Sequence, residues 1–127
     1  MREATRSTEI DPLSLINAIS IAQSLLGLGK FDATIEQGKK IIDLDPNFPK
    51  GYEELGLGYL AKRLHPEAIT QFQKGAELGG RARRSLAYLG FALAASGKRD
   101  EALVILKELQ GNMKSTRRLL RKLLQST

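Results

Sequence analysis

Small and apolar residues recur along the chain with a period of about 34 residues. The pattern is clearest at three pairs in which a small residue follows a larger apolar one, Ile21-Ala22, Leu55-Gly56 and Leu89-Gly90. A second series of small residues, each followed by a branched apolar residue, keeps the same spacing: Thr34, Ala68 and Ala102. Self-similarity at a fixed spacing is typical of repeat architectures, in which every copy forms the same structural unit.

Breaking residues divide each copy into two segments. Gly29 and Gly97 fit the end of a helix, because glycine adopts a left-handed conformation without steric cost. Asp32 and Asp100 are predicted to accept hydrogen bonds from free N–H groups where the next helix starts, and Asp45-Pro46 is a further break. We therefore predict helices over about 12–28, 32–44, 49–63, 66–78, 81–96 and 100–110, and a seventh over about 112–125.

The second copy carries the clearest family pattern. An aromatic residue, Leu, Gly, Tyr, Ala and a second aromatic stand at Tyr52, Leu55, Gly56, Tyr59, Ala68 and Phe72. In this spacing the chain resembles the tetratricopeptide repeat (TPR), a helix-turn-helix unit of about 34 residues. Gly38 and Leu106 depart from the pattern, since both replace the aromatic residue of the second helix. The resemblance implies an all-α, right-handed superhelical solenoid of antiparallel helix pairs, with repeats at about 15–48, 49–82 and 83–116.

A solenoid of this kind needs covered ends, because each repeat leaves an apolar face that only a neighbour can bury. We expect residues 1–10 to form a polar tail and residues 11–127 to form a single TPR domain. The last helix, about 112–126, is predicted to cap the array. Its apolar stripe consists of Met113, Thr116, Leu120, Leu123 and Leu124.

The composition of the chain excludes several kinds of functional site. The chain has no Cys and one His, so cysteine nucleophiles and zinc clusters are excluded as candidates. His65 precedes Pro66 in a predicted turn, where a packing or surface role is the simpler interpretation. The carboxylates Glu53 and Glu54 are interpreted as part of a solvated surface. With neither an export signal nor a membrane span in the pattern, we expect a cytoplasmic protein that is not an enzyme and binds no cofactor or metal.

The resemblance also implies a concave groove, lined by the first helix of each repeat, that binds peptides. The positions that match the groove are Ile16, Ile19, Gln23, Leu26, Lys50, Glu53, Leu57, Leu60, Arg84, Ala87, Phe91 and Ala94. Among them Leu26, Leu57, Leu60 and Phe91 are predicted as apolar anchors, with Lys50 and Arg84 as polar selectors. The alternative is that part of this floor belongs to the core between repeats or is covered by the N-terminal tail.

The expected partner is a peptide segment or an amphipathic helix of another protein. Some relatives in the family hold the terminal carboxylate of chaperone tails with Lys, Asn and Arg. The matching places here are Ile19, Gln23, Glu54, Arg84 and Tyr88. Because only Arg84 suits a carboxylate, we predict that the chain does not recognise chaperone tails.

The charge is concentrated at the C-terminal end. Residues 81–127 carry 11 Lys and Arg against 3 Asp and Glu, and the whole chain has a net charge of +6. The predicted basic face consists of Arg117, Arg118, Arg121 and Lys122. Such a face permits two alternatives, binding of nucleic acid or of an anionic membrane, although few aromatic residues are available to stack on bases. Self-association into a homo-oligomer is a third alternative.

Overall fold

The computed structural model describes residues 11–125, and beyond Gly111 it describes only the side chains of Arg118, Arg121, Lys122 and Gln125. The predicted polar tail over 1–10 lies outside the described residues, as do the side chains of the predicted capping stripe. Within the described range the chain forms the helices α1 (Pro12–Gly27), α2 (Phe31–Leu44), α3 (Pro49–Ala61), α4 (His65–Leu78), α5 (Arg83–Ala95) and α6 (Arg99–Gln125). The prediction of an all-helical solenoid is confirmed for this part of the chain.

The helices form two layers. Each helix packs on the next one along the chain, and in addition α1 contacts α3 and α3 contacts α5. The first helices of the three pairs are therefore neighbours and form the inner layer. The helix α3 lies at the centre, because it contacts α1, α2, α4 and α5.

The turns inside the three pairs share one backbone conformation. Gly29, Arg63 and Gly97 occupy equivalent positions, one repeat period apart, and their φ angles are +78°, +64° and +86°. The glycines thus end α1 and α5 as predicted. The second pair reaches the same conformation with an arginine, which is strained there because its Cβ approaches the backbone. The repeat geometry therefore imposes this turn on all three pairs.

The helix starts differ in part from the predictions. Asp11 caps α1, since its Oδ1 accepts a hydrogen bond of 3.0 Å from the N–H of Leu13. Asp32 and Asp100, in contrast, lie inside the first turns of α2 and α6. These helices begin one residue earlier than predicted, and the cap position of α2, Lys30, makes no side-chain hydrogen bond. The negative charges of Asp32 and Asp100 still stabilise the N-terminal ends of α2 and α6.

The prediction of a separate seventh helix is wrong. The helix α6 runs without interruption over 27 residues and includes Gly111 in its interior. A glycine inside a helix costs only about 1 kcal/mol relative to alanine, and the flanking residues are mostly good helix formers. The proline that closes the first repeat, Pro46, has Lys114 as its equivalent in the third. The chain therefore lacks a strong break here, and α6 reaches a length of about 40 Å.

Small residues allow the helices of a pair to approach closely. A Cβ atom at Gly56 would lie 2.6 Å from the ring of Phe72, and one at Gly90 would lie 3.3 Å from Ile105. The structure thus places large side chains of the second helix of each pair over these glycines. Large buried side chains consequently fill the core, and Phe72 is only 1% exposed.

Candidate partner-binding site

The predicted groove residues lie on the inner layer of α1, α3 and α5. A row of polar contacts joins these three helices. Gln23 Nε2 of α1 donates to Glu54 Oε2 of α3 over 3.2 Å. Glu53 Oε2 accepts 2.7 Å from Ser85 Oγ, and Glu53 Oε1 accepts 3.2 Å from Arg84 Nε, both in α5. These contacts hold the first helices of neighbouring repeats in register.

The interpretation of Glu53 and Glu54 as solvated carboxylates is wrong. They are 2% and 3% exposed, because α3 is covered by α1 on one side and by α5 on the other. Burial of a charge requires compensating hydrogen bonds, and Gln23, Arg84 and Ser85 supply them. The spacing offered a signal, since Gln23 precedes Glu54 by the same interval by which Glu53 precedes Arg84.

The buried carboxyl group of Glu54 has fewer compensating hydrogen bonds than that of Glu53. Its Oε1 is buried without a hydrogen-bond partner. Burial raises the pKa of the Glu54 carboxyl above its ordinary value of 4.5, whereas the hydrogen bond from Gln23 and the charge of Lys50 act in the opposite direction. The charge of Glu53 adds to the increase. The centre of the inner layer therefore holds a buried carboxyl group that is only partly compensated, and a further carboxylate beside it is disfavoured.

The predicted apolar anchors differ in exposure. Leu57 and Leu60 are half-buried and pack against the core of α4, α5 and α6. Leu26 is also half-buried. Phe91 is 64% exposed, as is Ile16 at 58%. Part of the predicted floor thus belongs to the packing between repeats, whereas Ile16 and Phe91 offer open apolar surface at the two ends of the layer.

The remaining groove positions have mixed roles. Ile19 is half-buried and packs against the core of α1 and α2. Lys50 is half-buried, and Ala87 is exposed. Arg84 keeps 55% of its side chain exposed while it holds Glu53. Arg84 is therefore oriented by an acid of the same chain.

Sequence reasoning missed an apolar cleft between α5 and α6. The cleft has a volume of about 430 Å³. Its lining is almost entirely apolar and includes Ala87, Phe91, Ala94, Leu103, Leu106 and Leu109. The sequence offered a signal for this cleft, because Phe91, Leu103 and Leu106 correspond to Leu57, Ile69 and Phe72 of the second repeat, which are apolar and which the next repeat buries at least in part.

The basic face is exposed where its side chains are described, at Arg118, Arg121 and Lys122. The side chain of Arg117 lies outside the described residues. In the same third of the chain Arg81 binds Glu108 through two hydrogen bonds of 2.6 and 2.8 Å. This hydrogen bonding lowers the pKa of Glu108 and raises the pKa of Arg81. Part of the excess positive charge is thus compensated within the chain.

The described residues contain no cluster of three or more His, Cys, Asp or Glu side chains arranged to hold a metal ion. Among the helices described between 11 and 125, none combines the length and the apolar character that crossing a membrane requires.

Comparison with known proteins identifies the architecture. No family model matches the chain. The small glutamine-rich tetratricopeptide repeat-containing protein 2 of Mycosarcoma maydis is 29% identical over 73 residues, which are 58% of this chain and 21% of that protein. The first TPR domain of Spaghetti (RPAP3), bound to an HSP90 peptide, superposes with a TM-score of 0.73 and 22% identity over 92% of this chain and 98% of that one. The chain has the tetratricopeptide-repeat fold.

Two further solved structures have comparable similarity. The TPR2B domain of yeast Sti1 in its Hsp70 complex has a TM-score of 0.71 and 19% identity, over 87% of this chain and 93% of that one. The Yersinia enterocolitica secretion chaperone SycD, with a peptide of the translocator YopD, has a TM-score of 0.71 and 22% identity over 90% and 89%. The TPR recognition made from the second copy is thereby confirmed. The chain spans about a fifth of the Mycosarcoma protein, so that likeness concerns the repeats alone.

Proposed function

We propose that the chain is a non-enzymatic TPR scaffold that binds a peptide segment or an amphipathic helix of another protein on its inner layer. The observation that carries the proposal is the exposure of Ile16 and Phe91 on the inner layer. Exposed apolar side chains on a preformed surface are typical of partner sites. Support also comes from three structural relatives, whose complexes contain an HSP90 peptide, Hsp70 and a YopD peptide.

The chemistry of the inner layer favours an apolar ligand segment over an acidic tail. Glu53 and Glu54 lie between the two exposed apolar residues and repel a carboxylate placed over them. Within the described residues, Arg84 is the only cation on this surface that forms an ion pair, and its partner is Glu53. Arg84 is therefore less available to bind a carboxylate of a ligand. The ligand proposed here therefore presents apolar anchors to the two ends of the layer and no terminal carboxylate to its centre.

The test compares capture of partner proteins from source-cell lysate by the parent chain and by two single variants. Ile16→Glu places a charge on the inner layer. Ile21→Glu is the matched control, because Ile21 is in the same helix, is 50% exposed and lies about 140° further around the helix axis. Both side chains are at least half exposed, so both variants should fold, which circular dichroism verifies.

We expect nuclease-treated lysate to yield partners that the parent and Ile21→Glu retain and that Ile16→Glu loses by about 10-fold or more, as for the loss of an apolar hot spot. The captured fraction should persist when salt is raised, since apolar binding depends weakly on ionic strength. Equal capture by all three chains would contradict the assignment to the inner layer. Material that disappears with nuclease or salt would instead favour the basic face.

A further inference from the structure

Equivalent apolar residues are buried in the second repeat and exposed in the third. Phe72 is 1% exposed, whereas Leu106, one repeat period later, is 46% exposed. Ile69 is 8% exposed, whereas its equivalent Leu103 is 52% exposed. The second repeat is covered by α5, and the cleft between α5 and α6 is the surface that a following helix would cover. The third repeat therefore has an uncovered apolar face.

The contacts of α5 show what a covering helix needs. Leu86 and Leu89 of α5 are 0% and 3% exposed. Tyr88 stacks on Phe72, with ring centroids 5.4 Å apart. Helix α5 thus covers the second repeat with two leucines, at positions i and i+3, and the residue just before the second leucine lies over α4.

The chain repeats this pattern once more near its C-terminal end. Shifted by one repeat period, Leu86 and Leu89 correspond to Leu120 and Leu123, and Tyr88 corresponds to Lys122. The C-terminal half of α6 therefore has the sequence of a covering helix. Since Leu106 corresponds to Phe72, a docked C-terminal half would place residue 122 over residue 106.

The C-terminal half of α6 does not cover the cleft of its own chain in this structure. Residues 106 and 122 belong to one continuous helix, whose rise of about 1.5 Å per residue places them about 24 Å apart. The stacked Tyr88 and Phe72 rings, in comparison, are 5.4 Å apart. A straight α6 instead projects its second half away from the cleft, where a second molecule can receive it.

We propose that two copies of this chain form a dimer by exchanging the C-terminal halves of α6. Residues 112–125 of each copy lie in the cleft between α5 and α6 of the other. The exchange is reciprocal, so it is closed by a two-fold axis and forms two identical contacts. Each contact covers Leu103 and Leu106 of one copy with residues 112–125 of its partner. It also covers Phe91, so in the dimer Ile16 is the apolar end of the inner layer that stays open to a ligand. The dimer does not depend on the partner site at Ile16.

A disulfide cross-link between two different single variants tests the exchange. The chain has no cysteine of its own, so Leu106→Cys and Lys122→Cys each introduce a single thiol. Both positions are exposed in the described structure. We mix the two purified variants and oxidise them mildly. We expect a covalent product of twice the chain mass that contains one copy of each variant, because a disulfide needs Cα atoms within about 7 Å.

Three controls make the result specific. Each variant is oxidised alone, and Lys122→Cys is mixed with Lys39→Cys, whose exposed site on α2 lies outside the cleft. These samples should give at least about 10-fold less disulfide-linked dimer than the matched pair. In the proposed dimer, two identical thiols lie about 24 Å apart, and the site at residue 39 lies outside the cleft, so only random collisions can link them. The double variant Leu106→Cys/Lys122→Cys reports on the alternative geometry, in which the C-terminal segment turns back onto its own cleft.

The outcomes separate clearly. A disulfide formed within the monomeric double variant, without product from the mixed single variants, would overturn the exchange in favour of an intramolecular cap. Failure of both reactions would show that this segment does not cover the cleft. Sedimentation over a range of concentrations gives a second readout. The parent should dimerise, and the dissociation constant of the Leu106→Glu dimer should be at least about 10-fold higher than that of the parent. Ile16→Glu should remain dimeric, so a failure of the proposed partner site is distinguishable from a failure of the dimer.

Discussion

The contact between Gly38 of α2 and Leu55 of α3 is predicted to tolerate no added methyl group. A Cβ atom at Gly38 would lie 2.8 Å from Leu55 Cα and 2.9 Å from Leu55 N and Cβ. Carbon atoms in favourable contact stand about 3.5–4.0 Å apart. The substitution Gly38→Ala therefore requires one of the two helices to move.

Two opposing effects determine how much Gly38→Ala changes the free energy of unfolding. Alanine favours a helix interior over glycine by about 1 kcal/mol. Overpacking a core typically costs about 1–3 kcal/mol, and the upper end applies here because the added methyl group meets backbone of α3, which α1, α4 and α5 hold from other sides. We expect a net loss of about 2 kcal/mol in the free energy of unfolding, and a fall in Tm of about 8 °C for a chain of this size.

Urea and thermal unfolding followed by far-UV circular dichroism measure this loss. Gly27→Ala is the matched control, because Gly27 is also helical but a Cβ there meets no atom within 4 Å. The control should be as stable as the parent or gain up to about 1 kcal/mol. If Gly38→Ala were as stable as the control, the helices would be absorbing the methyl group and the reasoning from close packing would be refuted.

Two further substitutions test the buried acid and the strained turn. The raised pKa of Glu54 means that the folded state holds this proton more tightly than the unfolded state, so stability falls as pH rises from 4.5 through the raised value. Glu54→Gln removes this loss and should be more stable than the parent at pH 7, with a difference that disappears below about pH 4.5 in unfolding curves measured across pH. Arg63→Gly should gain about 0.5–1 kcal/mol by relieving the positive φ of +64°, and Lys62→Gly, one residue earlier at a negative φ of −87°, should show no gain in the same urea titration.

The partner site was predictable only in outline. The repeat register located the inner layer and therefore the helices that carry the groove positions. It did not distinguish Phe91, which is open, from Leu57, which occupies the equivalent position and packs on the core. Exposure at a repeat position depends on whether another helix follows, and that is a property of the assembled array.

The repeat period by itself determined the order and pairing of the six helices and, except at the end of α6, their bounds to within about two residues. Each pair is a local unit, and the signals that end its helices, such as Gly29 and Asp45-Pro46, act within a few positions of the chain. The tertiary structure alone decided the burial of Glu53 and Glu54 between three helices. This burial depends on contacts between neighbouring repeats, so the polarity of the two residues could not predict it.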